Sequence, residues 1–264
     1  MELRSLGSTG LRVGVIGLGT VKLGRNRGVK YPGGDGFLLP TDEEAAVLFR
    51  TAAGLGINLI DTAPAYGTSE ERIGTIMSAN RWFGGRDRWV VCGKAGEEFD
   101  TTSATSRHDF APAAIAASVE RSLRRLRIER LDLLLLHSDG RDGWIINDSG
   151  AVDALERMKE RGDIGGWGLS AKTAEGAERA LERGCDALMV ALNAGDTTML
   201  PVIEAARSRP GGACAVLIKK ALESGRAIDA AAAVRFALAP AGVSSVIIGT
   251  LNPAHLRANA AAAG

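Results

Sequence analysis

The sequence predicts an α/β protein folded as a closed (β/α)8 TIM barrel with an N-terminal β-hairpin, and three observations carry that reading. Short apolar runs of strand length recur eight times. Each is followed by a stretch with helical periodicity. Most of the runs are continuously apolar, as strands covered on both faces must be. A length of 264 residues suits one barrel domain spanning 1–264. An open doubly wound sheet is the alternative for alternating units, but it uses fewer strands.

In chain order, residues 2–13 read as a hairpin turning at Ser8-Thr9-Gly10, placed to close the bottom of the barrel. The strands follow as VIGLG (15–19), INLID (57–61), WVVCG (89–93), DLLLLH (132–137), GGWGLS (165–170), ALMVALN (187–193), AVLIK (215–219) and SSVIIG (244–249). Helices are expected near 42–54, 69–78, 112–126, 149–161, 173–183, 197–208, 228–238 and 253–262. Asp42, Ser69, Ser149 and Thr173 stand as N-caps, and Gly54, Gly162 and Gly184 as stops. The Gly/Pro-rich basic stretch 24–40 follows the first strand, so it falls on the C-terminal face and reads as a substrate-facing loop.

Composition narrows the partners. With 32 basic against 31 acidic residues, the net charge of +1 gives no field to gather nucleic acid or an anionic membrane. No run approaches the roughly 20 apolar residues of a membrane span, and the N-terminus lacks an apolar signal core, so a cytoplasmic protein is expected. Cys92, Cys185 and Cys214 have no CxxC spacing and lie in apolar stretches, which makes them core residues. No metal site is expected, because His108, His137 and His255 are not clustered with them.

Four ionisable residues fall at or just past consecutive strand ends: Asp61, Tyr66, Lys94 and His137. In a parallel barrel those ends share one rim, so the four converge. Reducing a carbonyl requires a proton for the developing alkoxide, and a tyrosine gives one if its pKa, normally about 10, is pulled down. Lys94 is the group to lower it, Asp61 would keep that ammonium charged, and His137 would hydrogen-bond the carbonyl oxygen. Singly, each has an ordinary reading as a turn former, a packed aromatic, a solvated lysine or a core histidine. Their joint placement favours a site.

GINLIDTAPAYGTSEERIG, VVCGKAG, RSLRRLRIERLDLLLLHSDG and VIIGTLNPAHLRAN resemble the successive signatures of the aldo-keto reductase family. The resemblance implies the same barrel, a catalytic tetrad at Asp61, Tyr66, Lys94 and His137, and NADPH, less often NADH, as cofactor. It implies cofactor contacts at Gly19, Thr20, Ser170, Gly249, Thr250, Asn252, His255 and Asn259, with Lys219 and Lys220 along the pyrophosphate. Three positions depart from the family pattern. Met189 stands for a glutamine, Ile218 for the aromatic that faces the nicotinamide, and His255 for an arginine at the 2′-phosphate, with Arg257 two positions on.

The function expected is NAD(P)H-dependent reduction of a small aldehyde or ketone. Two other readings carry less of the sequence: a cofactor-binding sensor with little turnover, and an aldolase forming a Schiff base at Lys94. The loops 24–40, 97–111 and 138–148 are the expected pocket walls, with Asp139, Arg141 and Trp144 as selectors of size or charge.

Overall fold

The computed structural model describes residues 1–29, 31–32, 34–79 and 84–264, so Lys30 and Gly33 of the 24–40 loop lie outside the described residues. The chain opens with an antiparallel hairpin of β1 (Leu3–Ser5) and β2 (Arg12–Gly14), followed by β3 (Ile16–Gly19), α1 (Val21–Gly24), α2 (Asp42–Gly54), β4 (Leu59–Asp61) and α3 (Ser69–Ala79). Next come β5 (Val90–Ala95), β6 (Glu97–Asp100), β7 (Thr105–His108), α4 (Pro112–Leu126), β8 (Leu133–His137), α5 (Asp142–Asn147) and α6 (Ala151–Arg161). The remainder is β9 (Trp167–Ser170), α7 (Ala174–Glu182), β10 (Ala187–Ala191), α8 (Leu200–Ser208), β11 (Ala215–Lys219), α9 (Ala230–Leu238), β12 (Val243–Ile248) and α10 (Pro253–Ala262).

Eight parallel strands close a barrel in the order β3-β4-β5-β8-β9-β10-β11-β12 and back to β3, as the alternating runs predict. Strand alternation divides the buried residues into two layers. Leu59, Val90, Cys92, Leu133, Leu135 and Leu217 form one cluster inside the barrel. Ile60, Val91, Leu134, Leu136 and Ile218 belong to the other, shared with helix residues such as Leu48, Phe49 and Leu155. Leu6 and Val13 of the hairpin are fully buried in the interior cluster, so the hairpin corks the N-terminal mouth.

Several caps differ from expectation. Thr41, one residue before Asp42, caps α2 in a capping box with Glu44. Leu55 rather than Gly54 caps its C-terminus, ahead of Gly56 at φ +78°. Ser69 is the first residue of α3 and fully buried, its hydroxyl committed to Thr20. Gly150 caps α6, and Ser149 supports it by accepting from the Ala151 amide at 3.1 Å. Thr173 and Gly162 occupy the cap positions expected of them.

Three features fall where no helix or strand was expected: α1 directly after β3, the β6–β7 hairpin within 97–111 and α5 within 138–148. The three cysteines are buried and free, with the Cys185 and Cys214 sulfurs 3.6 Å apart. Among the described residues no helix is long and apolar enough to cross a membrane.

Candidate active site

The interior face of each strand ends in one last side chain on the C-terminal rim. Counting by twos from the interior cluster gives Asp61 on β4, Lys94 on β5, His137 on β8, Ser170 on β9 and Lys219 on β11. All five line one cavity of about 820 Å³, together with Tyr66, Gly19, Thr20, Lys220 and Gly249.

Tyr66 comes from a single 3₁₀ turn, Pro64–Tyr66, just beyond β4. Proline presets the first helical position, and Gly67 at φ +63° ends the turn. Gly24 of α1 lies so close beneath it that a Cβ there would collide with the Tyr66 carbonyl and the Ser69 amide. The Thr20 hydroxyl donates to the Asp61 carbonyl at 2.8 Å, tying the ends of β3 and β4.

At the cavity floor Lys94 Nζ forms an ion pair with Asp61 Oδ1 and donates to the Thr62 carbonyl at 3.3 Å. The Tyr66 hydroxyl donates to Asp61 Oδ2 at 3.4 Å, and Lys94 Nζ lies 4.8 Å from the Tyr66 ring centre. His137 meets the tyrosine ring edge-on at 6.2 Å. Burial alone would push Lys94 down, but the Asp61 carboxylate overrides it and holds the ammonium charged. An amine so committed is no nucleophile, which removes the physical basis for a Schiff base at Lys94.

The expectation that Lys94 lowers the Tyr66 pKa needs correction. Lys94 does pull downward, but burial and the Asp61 charge outweigh it, and the phenol is raised above its ordinary value. Tyr66 is therefore protonated throughout the neutral range.

His137 is held neutral by burial first, then by the charges of Lys94, Lys219 and Lys172. Opposing them, Glu97 Oε2 lies 3.0 Å from His137 Nδ1, a close approach without hydrogen-bond alignment. Glu97 Oε1 accepts from Ser106 Oγ at 2.6 Å and lies 3.6 Å from Arg25 Nη1. With Nδ1 faced by Glu97, Nε2 is the nitrogen left for a ligand.

The other wall is cationic. Lys172, Lys219 and Lys220 line it, and among the described residues none of the three forms a salt bridge. Lys219 turns inward and donates to Ser170 Oγ at 2.8 Å. Gly19 and Gly249 leave their backbones bare beside it, the Gly19 carbonyl lying 3.7 Å from where a Gly249 Cβ would stand. A cavity of this volume with lysines and uncovered backbone along one side fits a dinucleotide phosphate chain.

Other expected contacts lie outside the cavity lining. Asn252 caps α10 by accepting from the Ala254 amide at 2.8 Å, and Thr250 Oγ1 accepts from the Asn252 amide at 3.1 Å. Asn259 is buried and His255 exposed on α10. Ile218 is a correction: it is fully buried in the outer layer, and strand alternation puts Lys219 at the inward position. Asp139, Arg141 and Trp144 are also corrected, since none lines the cavity. Arg141 pairs with Asp139 at 2.7 Å, and Trp144 packs edge-on against Phe110.

The expected walls 24–40 and 97–111 do line the cavity, through Arg25, Tyr31 and Glu97, none of which sequence reasoning had singled out, and Lys172 was missed altogether. Lys172, two residues past Ser170, was within reach of the strand-end rule. Nothing in the polar run EEFDTTSATSRH marks Glu97.

The profile described as Aldo/keto reductase family matches residues 15–204. The chain belongs to the aldo/keto reductase family. An aldo-keto reductase structure from Pseudomonas aeruginosa is 47% identical, with a TM-score of 0.86 over 99% of this chain and 93% of that one. The aldo-keto reductase from Bacillus halodurans, 23% identical with a TM-score of 0.79, shares the fold. D-threo-aldose 1-dehydrogenase from Pseudomonas sp. is 29% identical over 70% of this chain and 58% of its own length. L-galactose dehydrogenase from Arabidopsis thaliana is 31% identical over 61% and 46%. This aldo/keto reductase chain thus spans about half the length of the curated relatives it matches.

Proposed function

We propose that this aldo/keto reductase reduces an aldehyde or ketone to an alcohol with NAD(P)H, using Tyr66 as proton donor and Asp61, Lys94 and His137 in support. The observation that carries the reading is the cluster of half-buried Tyr66 with buried Asp61 and Lys94 at the floor of the cavity. A bound reduced nicotinamide would supply the hydride. Tyr66, protonated at neutral pH, hands its proton to the developing alkoxide. The phenolate left behind lies beside the Lys94 ammonium, which Asp61 keeps in place. His137, neutral and with its ring proton drawn to Nδ1 by Glu97, presents Nε2 as an acceptor for the hydroxyl that forms once Tyr66 has given up its proton.

In this reading Gly19, Thr20, Asp61 and Ser170 border the nicotinamide end, and Lys219 and Lys220, with Lys172 on the same wall, meet the phosphates. Gly249, Thr250, Asn252, His255 and Asn259 serve the adenosine end. A modest NADPH preference is expected, since His255 carries no fixed charge and Arg257, bonded to Thr51 Oγ1 at 3.3 Å, is the nearest arginine in sequence. Relatives named for aldose and galactose, with a polar cavity wall, favour hydroxylated carbonyl substrates. A cytoplasmic, single-domain enzyme fits the same reading.

The test is a fluorescence titration with NADPH and NADH, followed by a panel of aldoses and simple aldehydes with the tighter cofactor. Binding plus carbonyl-dependent NADPH oxidation supports the assignment. Tight binding without turnover of any carbonyl would move the protein to the sensor class.

A further inference from the structure

One amine in the cavity has no part in the proton transfer described above. Lys219 ends the interior face of β11, where the layers beneath it hold Ala215 and Leu217. Its Nζ rests on Ser170 Oγ at 2.8 Å, in the cavity shared with Tyr66 and His137. Among the described residues no carboxylate forms a salt bridge with it, in contrast to Lys94 on β5. Its surroundings are mostly cationic: Lys220 follows in the chain, Lys94 faces it across the barrel and Lys172 follows β9, with Asp142 at the start of α5 opposing them.

We propose that Lys219 is a carbonyl-capturing nucleophile that condenses reversibly with small aldehydes in this cavity to form an imine. The geometry places an amine without a carboxylate partner on the wall of the open cavity that holds Tyr66 and His137, with a hydroxyl at hydrogen-bond distance to relay protons. Burial, followed by the neighbouring lysine charges, pushes the amine down to about 7, so about half of it is neutral at neutral pH. An ordinary lysine, near 10.4, is neutral there only in about one molecule in a few thousand.

In the step itself, the Nζ lone pair adds to the carbonyl carbon and the C=O π pair moves to oxygen, which takes up a proton to give a carbinolamine. Loss of that hydroxyl as water, with the nitrogen giving up its protons, leaves the C=N bond. One aldehyde and one amine give one imine and one water, and nothing is oxidised or reduced.

The experiment uses the wild-type protein without cofactor at pH 7, with less than one equivalent of propionaldehyde and sodium cyanoborohydride to fix any imine as a propylamine. Peptide mass spectrometry then locates the label. The expected result is a propyl group on Lys219 at a rate at least tenfold above exposed Lys172 and Lys220, with a pH midpoint of about 7. Lys219→Met, checked for wild-type circular dichroism, should lose that fast label and keep the slow ones. Label spread evenly over the exposed lysines, or concentrated on Lys94, overturns the proposal. Because no cofactor is present, this result does not depend on whether the protein turns over NADPH. Protection by added NADPH reports separately on the cofactor reading.

Discussion

The Glu97 carboxylate stands 3.0 Å from Nδ1 of His137, brought there by a hairpin that is no part of the barrel. A carboxylate on that side favours the ring proton at Nδ1 and leaves the Nε2 lone pair toward the cavity, an acceptor for a hydroxyl rather than a donor to the carbonyl oxygen. Glu97→Gln, whose amide can donate as well as accept, should shift the tautomer and lower carbonyl reduction by at least about tenfold. With three histidines in the chain, 15N chemical shifts can be read at each ring. Unchanged His137 shifts together with an unchanged rate would remove Glu97 from the site.

Tyr66→Phe should reduce turnover by several orders of magnitude while cofactor affinity stays within a few-fold, because only the proton donor is lost. Steady-state rates and a fluorescence titration on the same preparation check it. Activity within a few-fold of wild type refutes the assignment.

Lys94→Met should be costly twice over. It strands the buried Asp61 charge, a loss of about 3–5 kcal/mol in stability, and it removes the ammonium that offsets the phenolate. Urea unfolding gives the first effect and kcat the second. Lys94→Met with Asp61→Asn should recover stability but not activity, whereas equal recovery of both would detach the pair from catalysis.

Glu70, fully buried between α3 and α4, is pushed up to about 7 by burial, against the pull of Ser122 and Arg125. Folded protein therefore holds this proton more tightly than unfolded chain does. Stability should fall as pH rises from about 4.5 to about 7, then level off. Glu70→Gln should flatten that decline and gain on the order of 3 kcal/mol at pH 8. Thermal melts of both proteins from pH 5 to 8 decide it, and parallel curves would rule the effect out.

His255→Arg should raise the ratio of NADPH to NADH affinity, since an arginine makes charge-assisted bonds of about 1.5–3 kcal/mol to a phosphate. The gain should shrink as salt rises. An unaltered ratio would show that this exposed position on α10 does not face the 2′-phosphate.

The barrel was legible because each strand is a compact apolar run bounded by a glycine, a charge or a loop, and all eight appear within two residues of their expected ends. The rim residues Asp61, Lys94 and His137 were legible for the same reason: they interrupt apolar runs at the one end where such runs can carry function. Direction along a strand is less legible than position. Ile218 and Lys219 are neighbours, and only the interior placement of Ala215 and Leu217 shows which of them points inward. Glu97 was invisible because the β6–β7 hairpin has no apolar alternation. Its strands are held by their cross-strand register and by polar contacts such as that of Ser106 with Glu97. The sign of the Tyr66 shift was misjudged for a related reason, since a sequence names charged neighbours but not how far they are removed from water.

Leu6 and Val13 stopper the far end of the barrel, and that has a consequence for traffic. Whatever reaches the floor of the cavity must come and go by the same doorway. Two ligands lying one above the other in the cavity would have to leave in the reverse of the order in which they came, so a single doorway turns occupancy into a queue.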